Sequence, residues 1–190
     1  MESISRLIEK LSAYQLLNYV LSGVIFNCIV DETMSFTIAP DDILNRLIVY
    51  YITGMILSRI GSTFIEPVFK KLCVVVYAKY KNYLKASSSD KKLEVLVMEN
   101  NTYRTLLTTF ICLLIIYAID QIQWLHDKYQ HPIAILIYFI LLIVVFSLSF
   151  RKQTEFIRKR VHRHLEIDDE EAVKELKAEQ KKIKIRNSIL

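Results

Sequence analysis

The stretch IAILIYFILLIVVFSLSF, Ile133 to Phe150, decides the fold because it carries no charged side chain. A bilayer hydrocarbon core of roughly 30 Å takes about 20 predominantly apolar residues as a helix, and this run reaches that length with its flanks. A second run, LLTTFICLLIIYAI from Leu106 to Ile119, reads the same way. Burying both as core helices of a soluble protein would demand more covering chain than 190 residues supply. The chain is 53% hydrophobic and 24% charged, and the two fractions are segregated: apolar residues lie in long runs and charges lie between them.

Two further runs precede these. AYQLLNYVLSGVIFNCIV, Ala13 to Val30, contains Asn18 and Asn27; ILNRLIVYYITGMILSRIGSTFI, Ile43 to Ile65, contains Arg59. Polar groups facing lipid are costly, so such spans turn them toward other helices. The expectation is an all-α integral membrane protein with four transmembrane helices, at about 13–30, 43–65, 104–122 and 132–150. A cytoplasmic segment covers 68–103, residues 1–150 form the membrane domain, and 151–190 form a charged helical tail. The first run differs from a signal peptide in its mixed-charge start, MESISRLIEKLSAY, and in having no Ala-x-Ala site after Val30. Ser3 to Ser12 reads as a short interfacial helix, with Ile4, Leu7, Ile8 and Leu11 on one face.

Lys and Arg set the orientation. The N-terminal segment carries Arg6 and Lys10; the second loop carries Lys70, Lys71, Lys79, Lys81, Lys85, Lys91, Lys92 and Arg104; the tail opens with Arg151 and Lys152 and continues RKRVHRH. The first loop, DETMSFTIAPDD, has neither base, and the third, QWLHDKYQHP, has only Lys128. This alternation places both termini in the cytoplasm. The net charge of +5 therefore reflects topology and anionic headgroups, with no specific nucleic acid as partner.

Polar residues inside the spans are the candidate site. Arg59 lies about 24 Å along its helix from Ile43. Either it snorkels to the headgroups or it joins an interior ion pair. Glu99 is a candidate partner for Arg59 and Arg104 for Glu66, while Asp120 sits at the wrong end for Arg59. Arg59 and Glu66 are expected to hold the cytoplasmic ends of the spans in register. Gly54, Ser58, Gly61 and Ser62 share one side of span two and permit close backbone approach. Asn18, Ser22, Gly23 and Asn27 make a second polar and small strip, which hydrogen-bonds between helices or lines water. Pro67 is expected to turn the chain at the inner surface.

Outside the spans, Pro40-Asp41-Asp42 reads as the start of the second helix. KLCVVVYAKYKNYLKA fits a helix with Val76, Tyr80 and Tyr83 or Leu84 on one face, though Val74 to Val76 also permits a strand. SSSD reads as an N-cap for a helix from Lys91. In the tail, Val173, Leu176, Gln180 and Ile183 have a/d-like spacing, and Arg158, Lys159, Arg160 and Arg163 are candidates for binding a partner. Cys28, Cys73 and Cys112 have no metal-ligand or CxxC spacing. His126, His131, His162 and His164 make no site, and no catalytic motif is present. The expectation is no enzyme, no cofactor and no metal.

NYVLSGVIF, SRIGSTFIEPVFKK and NNTYRT before a hydrophobic span together resemble a group of small bacterial four-span membrane proteins. Size and topology also resemble the four-span membrane subunit of the Kiwa antiphage defence system. That resemblance implies an inner-membrane homo-oligomer working with a cytosolic protein partner, and it carries over no site residue. Residue by residue, two functions compete. The first is a sensor or scaffold whose large cytoplasmic face recruits an effector. The second is an oligomeric channel or depolarising effector, with Arg59, Asn18 and Asn27 lining a pore. A transporter fits less well, since no paired repeats or broken helices stand out.

Overall fold

The computed structural model describes the backbone of residues 2–34, 36–123 and 132–187, and the side chains of 13–34, 36–120, 133 and 135–178. The third loop, with His126 and His131, lies outside the described residues. So do the side chains of Gln180 and Ile183.

Every regular element among the described residues is helical. The order is α1 (Glu2–Thr33), α2 (Ile43–Ile60), a π-helical turn (Gly61–Ile65), α3 (Glu66–Lys71), α4 (Tyr80–Ser87), α5 (Lys92–Gln123), α6 (Pro132–His164) and α7 (Asp169–Asn187). Four of these helical stretches are long and apolar enough to cross a membrane: Ala13–Thr33, Ile43–Lys71, Lys92–Asp120 and Ile135–His164. They form two hairpins, α1 with α2 and α5 with α6, and α5 also packs against both α1 and α2. The membrane core is built from Phe26, Val30, Met34, Leu57, Leu106, Phe110, Leu113, Tyr117 and Phe139. One end of the bundle carries the basic segments, and at the other end a short connection joins α1 to α2.

Local chemistry explains the helix ends. Asp42 caps α2 by accepting from the Asn45 amide at 3.1 Å, as the Pro-Asp-Asp sequence leads one to expect. Asp90 accepts from the Lys92 amide at 3.1 Å and opens α5 one residue later than expected. Asp168 caps α7 through the Glu170 and Glu171 amides.

Several expectations need correcting. Ser3 to Ser12 is no separate helix, since α1 runs without a break from Glu2. Pro67 does not turn the chain. It sits in the first turn of α3, where a missing N–H costs least. The π turn just before it, closed by the Glu66 amide on the Gly61 carbonyl, shifts the hydrogen-bond register so that helix persists to Lys71. The reversal comes at Cys73, whose φ of 55° is left-handed. The Val74 amide donates to the Phe69 carbonyl there at 2.9 Å. Val74 to Val76 is neither strand nor helix: it runs irregularly to Tyr80, with Val75 and Val76 buried.

Helix α5 begins well inside the expected cytoplasmic segment, and α6 passes Phe150 without a break. Hydropathy marks where a helix leaves lipid, and helix propensity together with packing decides where it ends. The protruding ends enclose a second core of Ala86, Leu93, Ile157 and Val161. A third cluster, Val75, Leu107 and Phe150, joins this basic-end module to the bundle.

Candidate functional site

Three groups of polar side chains lie along the axis of the bundle. The first is the seam between α1, α2 and α5. Tyr14 shares a face of α1 with Asn18 and Ser22, one and two turns on. Its hydroxyl meets Thr102 Oγ1 of α5 at 3.2 Å. Asn18, Ser22 and Asn27 are buried, as are Thr105, Thr108 and Thr109 on α5. Each of these threonines donates back to the carbonyl one turn earlier. Asn27 Nδ2 likewise donates to the Gly23 carbonyl at 2.8 Å. Asn18 Oδ1, Ser22 Oγ and Asn27 Oδ1 are buried acceptors with no donor among the described residues. An orphaned polar atom of this kind costs about 1–3 kcal/mol unless water or another group reaches it.

Glycine sets how tightly this seam closes. A Cβ added to Gly23 would lie 1.7 Å from the Tyr50 carbonyl oxygen, and one on Gly54 would lie 1.8 Å from that of Tyr19. Each helix thus presses backbone into the other's glycine. Gly61 turns to a different neighbour, Thr108 of α5, where the added atom would meet Oγ1 at 2.5 Å. Ser58 is half-buried, and Ser62 Oγ donates to the Arg59 carbonyl at 2.9 Å. The small-residue face therefore serves two helices.

The second group sits at the basic end. Glu66 is ion-paired with Arg104 of α5, the partner its sequence position suggests, and with Lys70 one turn on at 2.7 Å. Lys70 Nζ also lies 4.5 Å from the centre of the Tyr77 ring. Burial first, and the Glu66 carboxylate second, push the Tyr77 hydroxyl well above its ordinary value. The pair ties the first hairpin to the second. Arg59 does not take part: it is exposed, and its side chain has no hydrogen bond or ion pair among the described residues. Glu99, its suggested partner, instead accepts from Gln153 Nε2 of α6 at 2.9 Å. Arg59 is thus on an exposed face of α2 while Asn18 and Asn27 of α1 are buried, and a single chain does not bring them together.

The third group holds the tail. Arg158 is buried and grips Asp169 with two nitrogens, Nε to Oδ1 at 3.0 Å and Nη2 to Oδ2 at 3.2 Å. Its Nη1 donates to the Val76 carbonyl at 3.1 Å. His162 Nδ1 meets the same Asp169 Oδ1 at 2.7 Å. Burial alone raises the Asp169 carboxyl, but the hydrogen bonds and charges of Arg158 and His162 outweigh it and hold the group below the ordinary carboxylate value. Arg160 grips Asp90 at 2.6 and 3.2 Å, and Ser89 meets His164 at 2.7 Å.

Of the four basic residues suggested for partner binding, Arg158 and Arg160 are therefore engaged inside the chain. Lys159 pairs with Glu155 one turn away while staying half-exposed, and Arg163 is exposed. Sequence reasoning missed Asp169, Asp90 and His162 as their counterparts. The only local signal was an acid-rich segment directly after a base-rich one. No group of three or more metal-ligating side chains occurs among the described residues. No family model, curated protein or solved structure matches the chain.

Proposed function

We propose that this chain is a self-associating sensor or scaffold subunit of a bacterial inner membrane that signals to or recruits a cytosolic effector, in the setting of antiphage defence. One observation carries this reading: the two ends of the bundle are unequal. The end where α1 meets α2 offers a short connection. The basic end offers a packed module of α4, α7 and the protruding ends of α5 and α6, braced by Arg158–Asp169 and Arg160–Asp90. A module tied so closely to the spans is suited to report a change in their packing, provided that its two states differ in affinity for the effector. Both termini are cytoplasmic in this reading, following the basic residues.

The experiment is affinity capture of the full chain from its native membrane, with Asp169→Arg as the comparison. Loss of a cytosolic partner on loosening the tail, with membrane abundance unchanged, supports the reading. Capture that is indifferent to both Asp169→Arg and removal of residues 165–190 overturns it.

A second reading, an oligomeric channel, draws on the orphaned acceptors of Asn18, Ser22 and Asn27. It predicts ion flux that Asn18→Leu with Asn27→Leu abolishes. Flux-free vesicles under every trigger would end it.

A further inference from the structure

We propose that Arg59 seats the phosphate of an anionic phospholipid from the leaflet at the basic end, with an acyl chain lying along the face of α2 beside it. This rests on the membrane placement above and is independent of signalling.

The face is defined by what α2 buries. Gly54, Leu57 and Gly61 are buried toward α1 and α5. Arg59, two residues beyond Leu57, lies about 200° round the helix from it. Around Arg59, Met55, Ile56, Ile60, Thr63 and Phe64 line an open hollow of about 320 Å³. The π turn passes beneath its lower edge. This hollow is apolar except for the guanidinium and one hydroxyl, which is the profile of an acyl chain with a charged head.

The guanidinium calls for an anion, because an unpaired arginine among lipid tails is costly, about 2.5–3.5 kcal/mol at the bilayer centre and less toward the leaflet where Arg59 lies. The described side chains do not supply one at its depth. Gly61 lies against Thr108, so Arg59 is level with about residue 110 of α5. Glu99 and Asp120 are each about 15 Å from that level, in opposite directions. Glu66 is about 10 Å farther along α2 and already holds Arg104 and Lys70. A neighbouring copy does not change this. In a ring about the membrane normal every residue keeps its own depth, so a second copy brings the same acids at the same wrong levels. Phosphate oxygens of the nearer leaflet lie within reach of a long side chain that bends toward the α2 C-terminus. Guanidinium meets them with two parallel hydrogen bonds, which an ammonium does not reproduce.

The test uses the purified full chain in detergent micelles carrying equal amounts of phosphatidylglycerol and phosphatidylcholine, with bound lipid counted by native mass spectrometry. The wild type should retain phosphatidylglycerol over phosphatidylcholine by about tenfold, because both offer a phosphodiester to Arg59 but the choline ammonium of the second already neutralises it. Arg59→Leu should lose that preference, Arg59→Lys should keep part of it, and Lys71→Leu at the membrane surface should leave it intact. Phe64→Ala, which opens the hollow without touching charge, should weaken retention of both lipids and serves if Arg59→Leu does not fold. Equal retention by wild type and Arg59→Leu overturns the proposal. So does an equal loss in Lys71→Leu, which would mean general surface charge. Gly54 lies against Tyr19, so Glu9 of α1, whose side chain is outside the described residues, is about 8 Å from the level of Arg59; restored stability in an Arg59→Glu, Glu9→Arg double variant would make that carboxylate the partner and overturn the proposal.

Discussion

The two hairpins are closed by opposite means. Between α1 and α2 the contact is backbone against glycine, at Gly23 and Gly54, with buried amides and a serine beside it. Between α5 and α6 it is ring against ring. Phe110 stacks on Phe146 with centroids 5.2 Å apart, and Tyr117 meets Phe139 edge-on at 5.7 Å. Lipid tails are as apolar as leucine, so burial of apolar area drives neither pairing. Close van der Waals contact must do it, and it is reached either by removing side chains or by interlocking large ones. The first kind of interface is intolerant of added volume. The second is intolerant of lost volume, but only mildly, because lipid or neighbouring rings settle into the gap.

The largest expected effect comes from adding volume to the glycine side. Gly54→Val should separate α1 from α2 and cost more than about 3 kcal/mol, beyond ordinary overpacking, since backbone cannot yield as a side chain can. Thermal unfolding in detergent would measure it, and Gly61→Ala should cost far less because it meets a threonine hydroxyl. The next effect concerns the strut between the hairpins and is asymmetric. Glu66→Gln strands Arg104 in a half-buried site and should cost about 2–3 kcal/mol. Arg104→Gln leaves Glu66 its Lys70 and should cost less. Equal losses would mean that Lys70 does not hold Glu66 once Arg104 is gone.

On the aromatic side, Phe139→Ala should cost only about 1–2 kcal/mol, mainly lost ring contact. A loss matching that of Gly54→Val would erase the contrast. Acid probes the tail. Asp169 has a lowered pKa in the folded protein, so its contribution is complete above its unfolded value of about 3.9 and fades as pH falls through the lower native one. Spin labels at Lys85 and Lys177 should keep one distance from neutral pH to about pH 5 and broaden below about pH 4. The smallest effect is a gain: Glu166 has a φ of 56°, and Glu166→Gly should stabilise by about 0.5–1 kcal/mol.

Much of this was legible in the chain. Long apolar runs gave four spans, aspartates marked two helix starts, and two charges at similar depth on separate spans gave Glu66–Arg104. What was hidden has physical causes. The sequence left Arg59 open between snorkelling and an interior ion pair; Gly54 and Gly61 claim the inward side of α2 for close contact, which leaves Arg59 on the outward one and without its suggested partner. Pro67 looked like a stop, and a π turn absorbed it. The Arg158–Asp169 clasp depends on a left-handed residue at Glu166, a conformation that sequence signals through glycine, and the chain spends all three of its glycines inside helices.

The absence of a break in α5 and α6 has a mechanical consequence. Each is a single rod of about 50 Å, with about 30 Å apolar enough for lipid and about 20 Å beyond it. With no hinge at the membrane surface, a tilt of about 10° around mid-length sweeps the far end sideways by about 4 Å. A thinning or stretching of the bilayer that tilted the apolar part would thereby be converted, without any local unfolding, into a sideways stroke of the basic end, as a lever converts a small turn at one arm into travel at the other.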